Sequence, residues 1–105
     1  MSDNDVKTGM KVKTASRPKT QRPRLHKVLL LNDDYTPREF VVAVLCAIFR
    51  TSEDETYNIM MMAHQKGVCV VAVYTREVAE TKSTEANALA RNESYPLTFT
   101  TEPEE

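Results

Sequence analysis

Four residues combine types and spacing that bear on chemistry: the run Asn32-Asp33-Asp34, and His64 thirty positions beyond its end. A peptide's free α-amino group is a cation with three donors, and holding it takes several acceptors. Asn32 offers a carbonyl oxygen, Asp33 or Asp34 a carboxylate, and a neutral His64 one ring nitrogen. An apolar hollow beside them would take the side chain that follows the amine, and capture of an N-terminal amine is an established peptide-binding mode. A plainer account competes at each position. Asn-Asp-Asp also suits a turn whose side chains bond nearby backbone N–H groups, and His64, after the apolar stretch Ile59–Ala63, also suits a partly buried histidine with a local partner.

Other chemistries find less support. His26, His64, Cys46 and Cys69 show no CxxC, HxxxH or HExxH spacing, so no zinc site is expected. The chain has 2 glycines, Gly9 and Gly67, which leaves no glycine-rich phosphate cradle. Cys46 and Cys69 lie inside apolar runs and read as buried reduced thiols, with no base beside them to make a nucleophile. No catalytic residue, metal or cofactor is assigned.

The elements that must position the four residues follow from local pattern. His26–Leu31 is a short apolar strand, halted by Asn32-Asp33-Asp34-Tyr35-Thr36-Pro37, which is dense in turn residues. Thr36 as N-cap, Pro37 as first helical residue and Glu39 three after the cap open a helix reaching about Arg50. Phe40, Val41, Val44, Leu45 and Ile48 recur at helical spacing, and the helix is expected to be heavily buried. Ser52 and Glu55 form a second capping box, opening a helix that carries Met60, Met61 and Met62 and stops at Gly67. The methionines suit an adaptable hollow, or plain core filling.

Val68–Tyr74 is the strongest strand, nearly continuous and β-branched. Thr75 is a candidate cap for a third helix over about 76–92, with Val78, Ala79, Ala86, Leu89 and Ala90 inward. Arg76, Glu77, Glu80, Lys82, Glu85 and Arg91 are expected to face water. Pro96 to about Thr100 is a last strand. The order is βααβαβ, an α+β class with three helices on one face of a three-stranded sheet. A monomer is the default, since no exposed apolar stripe is expected to remain once the core is assigned.

The chain of 105 residues is one domain's length, and its formal charge of -1 hides two unlike parts. Residues 1–24 carry a balance of +5 and too few apolar residues to offset the entropy of ordering, and read as a flexible N-terminal extension. Residues 25–101 form the folded domain, and the acidic 102–105 a frayed end; from residue 25 onward the balance is -6. The longest apolar run, Phe40–Phe49, is far short of the ~20 residues a membrane helix needs. No basic-then-apolar opening marks a secretory signal, so a cytoplasmic location is expected.

The strings LLLNDDYTPREFV, MMMAHQKG and VYTREVAETK, in this order and spacing, resemble ClpS, the bacterial adaptor that delivers N-degron proteins to the ClpAP protease. The resemblance covers about residues 25–100 and leaves the basic extension outside. It implies a small α+β domain with a three-stranded antiparallel sheet and three helices, which binds proteins beginning with Leu, Phe, Tyr or Trp, passes them to the ClpA unfoldase, and catalyses nothing. By matching position it implies that Asn32, Asp33 and His64 hold the α-amino group, with Asp34 nearby. Leu30, Thr36, Val41, Met60, Ala63 and Leu97 would form the hydrophobic pocket, with Arg38 at its rim. Glu77 and Lys82 would meet ClpA, with Tyr35 near the same side, and residues 1–24 would engage the unfoldase in delivery. Arg38 stands where many members have a gatekeeping methionine, and Ala63 where valine is common. The pocket is therefore expected to keep large aromatic and Leu guests and rank them differently. Arg38 has two outlets for its charge, water or a pair with Asp34 or Glu39.

A competing class is a small ribosome- or RNA-associated module, resting on the basic extension and on the occurrence of βααβαβ domains in the ribosomal stalk. The acidic folded part opposes a phosphate-binding face, and no nucleic acid or membrane partner is expected.

Overall fold

A computed structural model describes residues 23–105. The extension assigned to 1–24 lies, but for its last two residues, outside the described residues. The elements run β1 (Leu25–Leu31), α1 (Arg38–Phe49), α2 (Glu53–Lys66), β2 (Val68–Thr75), α3 (Arg76–Asn92) and β3 (Thr98–Pro103). This is the expected βααβαβ order. The sheet is antiparallel with β1 central, in the order β2-β1-β3.

Alternation along β1 places Val28 and Leu30 under the helices, where they are almost fully buried with Phe99 from β3. The helices add Val41, Val44, Leu45 and Phe49 from α1, Ile59 and Ala63 from α2, and Ala79, Ala86 and Ala90 from α3. Phe49 and Phe99 meet with ring centroids 5.1 Å apart, and Phe40 meets Tyr95 edge-on at 4.9 Å. Such aromatic pairs add ~0.5–1.5 kcal/mol beyond area burial.

Several local expectations shift. Thr36 does not cap α1: Pro37 occupies the cap position with no side-chain hydrogen bond, and the Thr36 hydroxyl is committed to Asp33. The α2 start is as read, with both arms of the Ser52–Glu55 capping box formed, at 3.2 and 2.8 Å. Gly67 ends α2 at φ 87°, a left-handed conformation that costs glycine nothing. Thr75 is the cap residue of α3, but its side chain makes no cap bond.

Val78 and Leu89, read as inward, are exposed, while Ser83 is buried. Ala79, Ser83, Ala86 and Ala90 lie on one helical face. Small residues let α3 approach the sheet closely, and this outweighs the bulk of Val78 and Leu89. Lys82 does not simply face water: its Nζ donates to Ile48 O at 2.8 Å and sits 5.6 Å above the Tyr74 ring. The lysine thus satisfies a carbonyl left open at the C-terminal end of α1.

The last strand is displaced to Thr98–Pro103. Asn87 explains its start. This side chain accepts from Phe99 N at 2.8 Å and donates to Phe99 O at 3.0 Å, as a neighbouring strand would. The end read as frayed is partly ordered: Glu102 pairs with Lys27 at 3.2 Å, and Glu104 N donates to Leu25 O. Cys46 is exposed and Cys69 half-buried, so neither is the fully buried thiol expected, though both are free. The helix α1 is less buried than read, with Ala43, Cys46 and Ala47 exposed. An apolar stripe does remain on the sheet face away from the helices, where Val68, Val70 and Val73 are exposed.

Candidate functional site

The loop from β1 to α1 is built around one carboxylate. Asp33 Oδ1 accepts from the backbone N–H of Tyr35 at 2.8 Å and of Thr36 at 2.7 Å, and Oδ2 accepts from the Thr36 hydroxyl at 3.0 Å. The plainer account of Asp33, a turn-holding side chain, is therefore true. With two bonds its Oδ1 is saturated, while Oδ2 keeps a lone pair for a further donor.

Asn32 is set by the other end of the site. Its N–H donates to Gly67 O at 3.0 Å, while Gly67 N donates back to Ala63 O at 2.8 Å. The left-handed turn at Gly67 thus joins the end of β1 to the last turn of α2, which carries His64. Register continues the link, since Leu31 pairs with Val68, the first residue after that turn.

Between these loops and the two helices lies a cavity of about 590 Å³. Leu30, Val41, Met60, Ala63 and Leu97 line it, with Asn32, Asp33, Thr36, Arg38 and His64. Leu30, Ala63 and Leu97 are each under 5% exposed, so the floor is core surface already present without a guest. Asn32 and His64 are solvent-accessible, and among the described residues neither side chain is taken up in a hydrogen bond. The arrangement is an apolar well with acceptors at its mouth.

Ten residues named from the sequence are brought together here. Asp34 is not: it is exposed and does not line the cavity. Arg38 lies in the lining, and among the described residues it makes no ion pair, so neither Asp34 nor Glu39 holds it. Lys82 is anchored to the C-terminal end of α1, whereas Tyr35, 83% exposed, precedes its N-terminal end. The length of α1, about 18 Å at 1.5 Å per residue, lies between those two points. Glu77 is exposed in the first turn of α3.

The sequence reading missed Leu31, Val42, Cys46, Glu53, Thr56 and Tyr57, which also line the cavity, together with Met61, one of the methionines read as suiting the hollow. Helical spacing carries the signal for most of them: Val42 and Cys46 follow Arg38 at steps of four, and Thr56 and Tyr57 precede Met60 and Met61 by four. Thr56 is buried, donating to Ser52 O at 2.7 Å and lying 2.6 Å from Thr51 Oγ1 and 3.6 Å from Cys46 Sγ. Among the described residues no group of three or more His, Cys, Asp or Glu is placed to hold a metal ion, and no helix is long and apolar enough to cross a membrane.

A one-domain α+β fold with a preformed apolar well, rimmed by acceptors, defines a small peptide- or ligand-binding domain. Comparison with known proteins makes this specific. The family model for the ATP-dependent Clp protease adaptor protein ClpS matches residues 21–100. Among curated relatives, ClpS 1 of Bradyrhizobium diazoefficiens is 59% identical over 102 residues, covering 97% of this chain and 99% of the relative. ClpS 2 of Agrobacterium fabrum is 55% identical over the full length of both chains. Agrobacterium tumefaciens ClpS2, solved bound to L-phenylalaninamide, superposes with a TM-score of 0.76 at 59% identity, covering 79% of this chain and 100% of that one. The chain belongs to the ClpS family.

Proposed function

We propose that this protein is an adaptor that binds the free N-terminal residue of proteins beginning with Leu, Phe, Tyr or Trp and delivers them to the ClpA unfoldase of the ClpAP protease. The observation that carries the reading is the joining of an apolar floor, Leu30, Val41, Ala63 and Leu97, to a mouth of acceptors, Asn32, Asp33 and His64. Phenylalaninamide, the ligand of the Agrobacterium ClpS2 structure, presents a free amine, a benzyl side chain and a capped carboxyl group, as the first residue of a protein does.

In this reading Asn32, His64 and the remaining lone pair of Asp33 Oδ2 accept the three ammonium protons, and the first side chain enters the well. Burying a Leu or Phe side chain contributes ~1.5–3 kcal/mol. Each hydrogen bond to the charged amine contributes ~1.5–3 kcal/mol. Association costs on the order of 4–15 kcal/mol. The balance is compatible with affinity of about micromolar order, suited to a carrier that must release its cargo. No step of this role involves bond chemistry by the chain, and it takes place in the cytoplasm. Tyr35, Glu77 and Lys82 are assigned to the ClpA contact, and residues 1–24 to engagement of the unfoldase. Arg38, in the lining of the well, sets the ranking among large guests.

The test is fluorescence anisotropy with labelled peptides starting with Phe, Tyr, Trp, Leu, Ile, Val or Met, each with an N-acetylated twin. Acetylation removes the charge and two donors and is expected to abolish binding, as is His64→Ala. Arg38→Met is expected to change the order of guests. Equal binding of free and acetylated peptides would overturn the reading.

A further inference from the structure

The two edges of the sheet are protected unequally. At β3 the Asn87 side chain takes up both Phe99 N and Phe99 O, Glu102 is charged, and the strand ends at Pro103, which has no N–H to offer. Such devices keep an edge strand from pairing with another chain. At the other edge, among the described residues, β2 pairs with β1 alone and carries neither charge nor proline over Val68–Thr75. Its inner residues Cys69, Val71 and Tyr74 are only half-buried, and Val68, Val70 and Val73 are exposed on the outer face. None of its residues lines the guest cavity. Its one irregularity is a bulge: Val28 pairs with Ala72 and Leu29 with Val70, which leaves Val71 as the extra residue.

The bulge gives β2 a symmetry. Side chains of a regular strand alternate with period two. Here the phase slips once at the middle, and the eight residues run exposed, half-buried, exposed, half-buried, half-buried, exposed, half-buried, exposed. That order is the same from either end. We infer that the free edge of β2 is a self-association surface, pairing antiparallel with β2 of a second copy about a two-fold axis between Val71 and Ala72. This goes beyond the guest-binding reading and does not depend on it. Residues directly opposite each other on antiparallel strands share a face. The axis sets Val70 opposite Val73 of the second copy and Val68 opposite its Thr75 on the outer face, with Cys69 opposite its Tyr74 on the inner one. A shift of one residue either way sets exposed positions against half-buried ones along the strand. A two-fold interface must be complementary to itself, and an uncharged strand brings no like charges together. The contact is about 26 Å long at ~3.3 Å per residue and one strand deep, which falls short of the ~800 Å² per partner of a stable interface. The dimer is therefore weak, with a dissociation constant on the order of 0.1 mM. The expectation of a monomer, which rested on a fully covered apolar surface, gives way.

Sedimentation equilibrium of the full chain from about 10 μM to about 1 mM reads the association. Two variants test its register. Val70→Lys and Val73→Glu change exposed positions away from the cavity, and each sets a charge against a valine in both halves of the two-fold pair. Each alone is expected to weaken self-association at least ~5-fold, while the melting midpoint and phenylalaninamide binding stay as they were. Mixed in equal amounts, the two variants are expected to associate within about twofold of the unaltered chain. The introduced ammonium of one then faces the introduced carboxylate of the other, and the remaining Val70 faces the remaining Val73. A chain that stays monomeric to about 1 mM overturns the proposal. Slow hydrogen exchange of the Val68–Thr75 edge amides in that monomer would assign the edge to another segment. Association that persists in both variants, or variants that fail to associate when mixed, also overturns it.

Discussion

Two helix starts in this chain read alike and are built differently. Thr36-Pro37-Arg38-Glu39 and Ser52-Glu53-Asp54-Glu55 each place a hydroxyl at the cap and a glutamate three residues on. At α2 both arms of the capping box close, and the start of the helix is satisfied from within. At α1 the hydroxyl is turned toward Asp33, the cap passes to Pro37, and no side chain bonds the first turn. The difference follows from what each start borders. The α2 start lies at the closed end of the helix pair, where the local rule has no competitor. The α1 start borders the acceptor mouth, where Asp33 gathers two backbone N–H groups and the Thr36 hydroxyl into one fixed loop. Departures from local consistency are expected to concentrate at functional sites, and here the departure falls on the rim of the well.

The largest test of this comparison is the removal of the carboxylate. Asp33→Ala deletes three hydrogen bonds to one loop, two of them charge-assisted bonds from backbone N–H groups. Hydrogen bonds to charged groups contribute ~1.5–3 kcal/mol each, so peptide affinity is expected to fall at least ~10-fold, as measured by anisotropy with a Phe-starting peptide. Asp33→Asn keeps an acceptor for the loop and loses the charge. It is expected to restore the turn and to recover binding only in part. Full affinity in Asp33→Ala would show that the two helix starts differ in shape alone.

Ser52→Ala is the counterpart. Loss of an N-cap side chain costs ~1 kcal/mol, which in a domain of this size lowers the melting midpoint by ~4–8 °C. Peptide affinity is expected to stay as it was. A Ser52→Ala variant that lost binding in proportion to its stability would dissolve the distinction between a start that serves the fold and one that serves the site.

The same distinction marks what was legible in the sequence. Element order and type were readable because α1 and β2 are strongly apolar runs and Ser52 and Gly67 mark the two ends of α2. The cluster of Asn32, Asp33 and His64 was legible only as residue types, each with a plainer structural account beside it, and it is the fold that brings them round one cavity. Three things were not readable, each for a physical reason. The facing side of α3 is set by close approach of small residues, Ala79, Ser83 and Ala86, which a scale of hydrophobicity ranks below Val78 and Leu89. The start of β3 is set by the Asn87 side chain acting as a strand from 12 residues away, and nothing local announces it. The part of the cavity lining formed by Cys46 and Thr56 emerges only when two helix faces are brought together.

The smallest effect sharpens the comparison by pH. Burial raises the Cys69 thiol above its ordinary 9.0 and the Tyr74 phenol above its ordinary 10.0, and both residues lie on β2, in the scaffold. Each group holds its proton more tightly when folded than when unfolded. The stability this contributes is complete below the unfolded value and is lost as pH rises through the folded one. Melting midpoints are therefore expected to be flat to about pH 9 and to decline shallowly above it, since both groups are only partly withdrawn from water. Cys69→Ala removes the earlier part of the decline and leaves the part due to Tyr74. Asp33→Ala, acting on the loop at the mouth, is expected to lower binding at every pH without changing where this decline begins. A decline that moved with Asp33 would tie the loop to the scaffold after all.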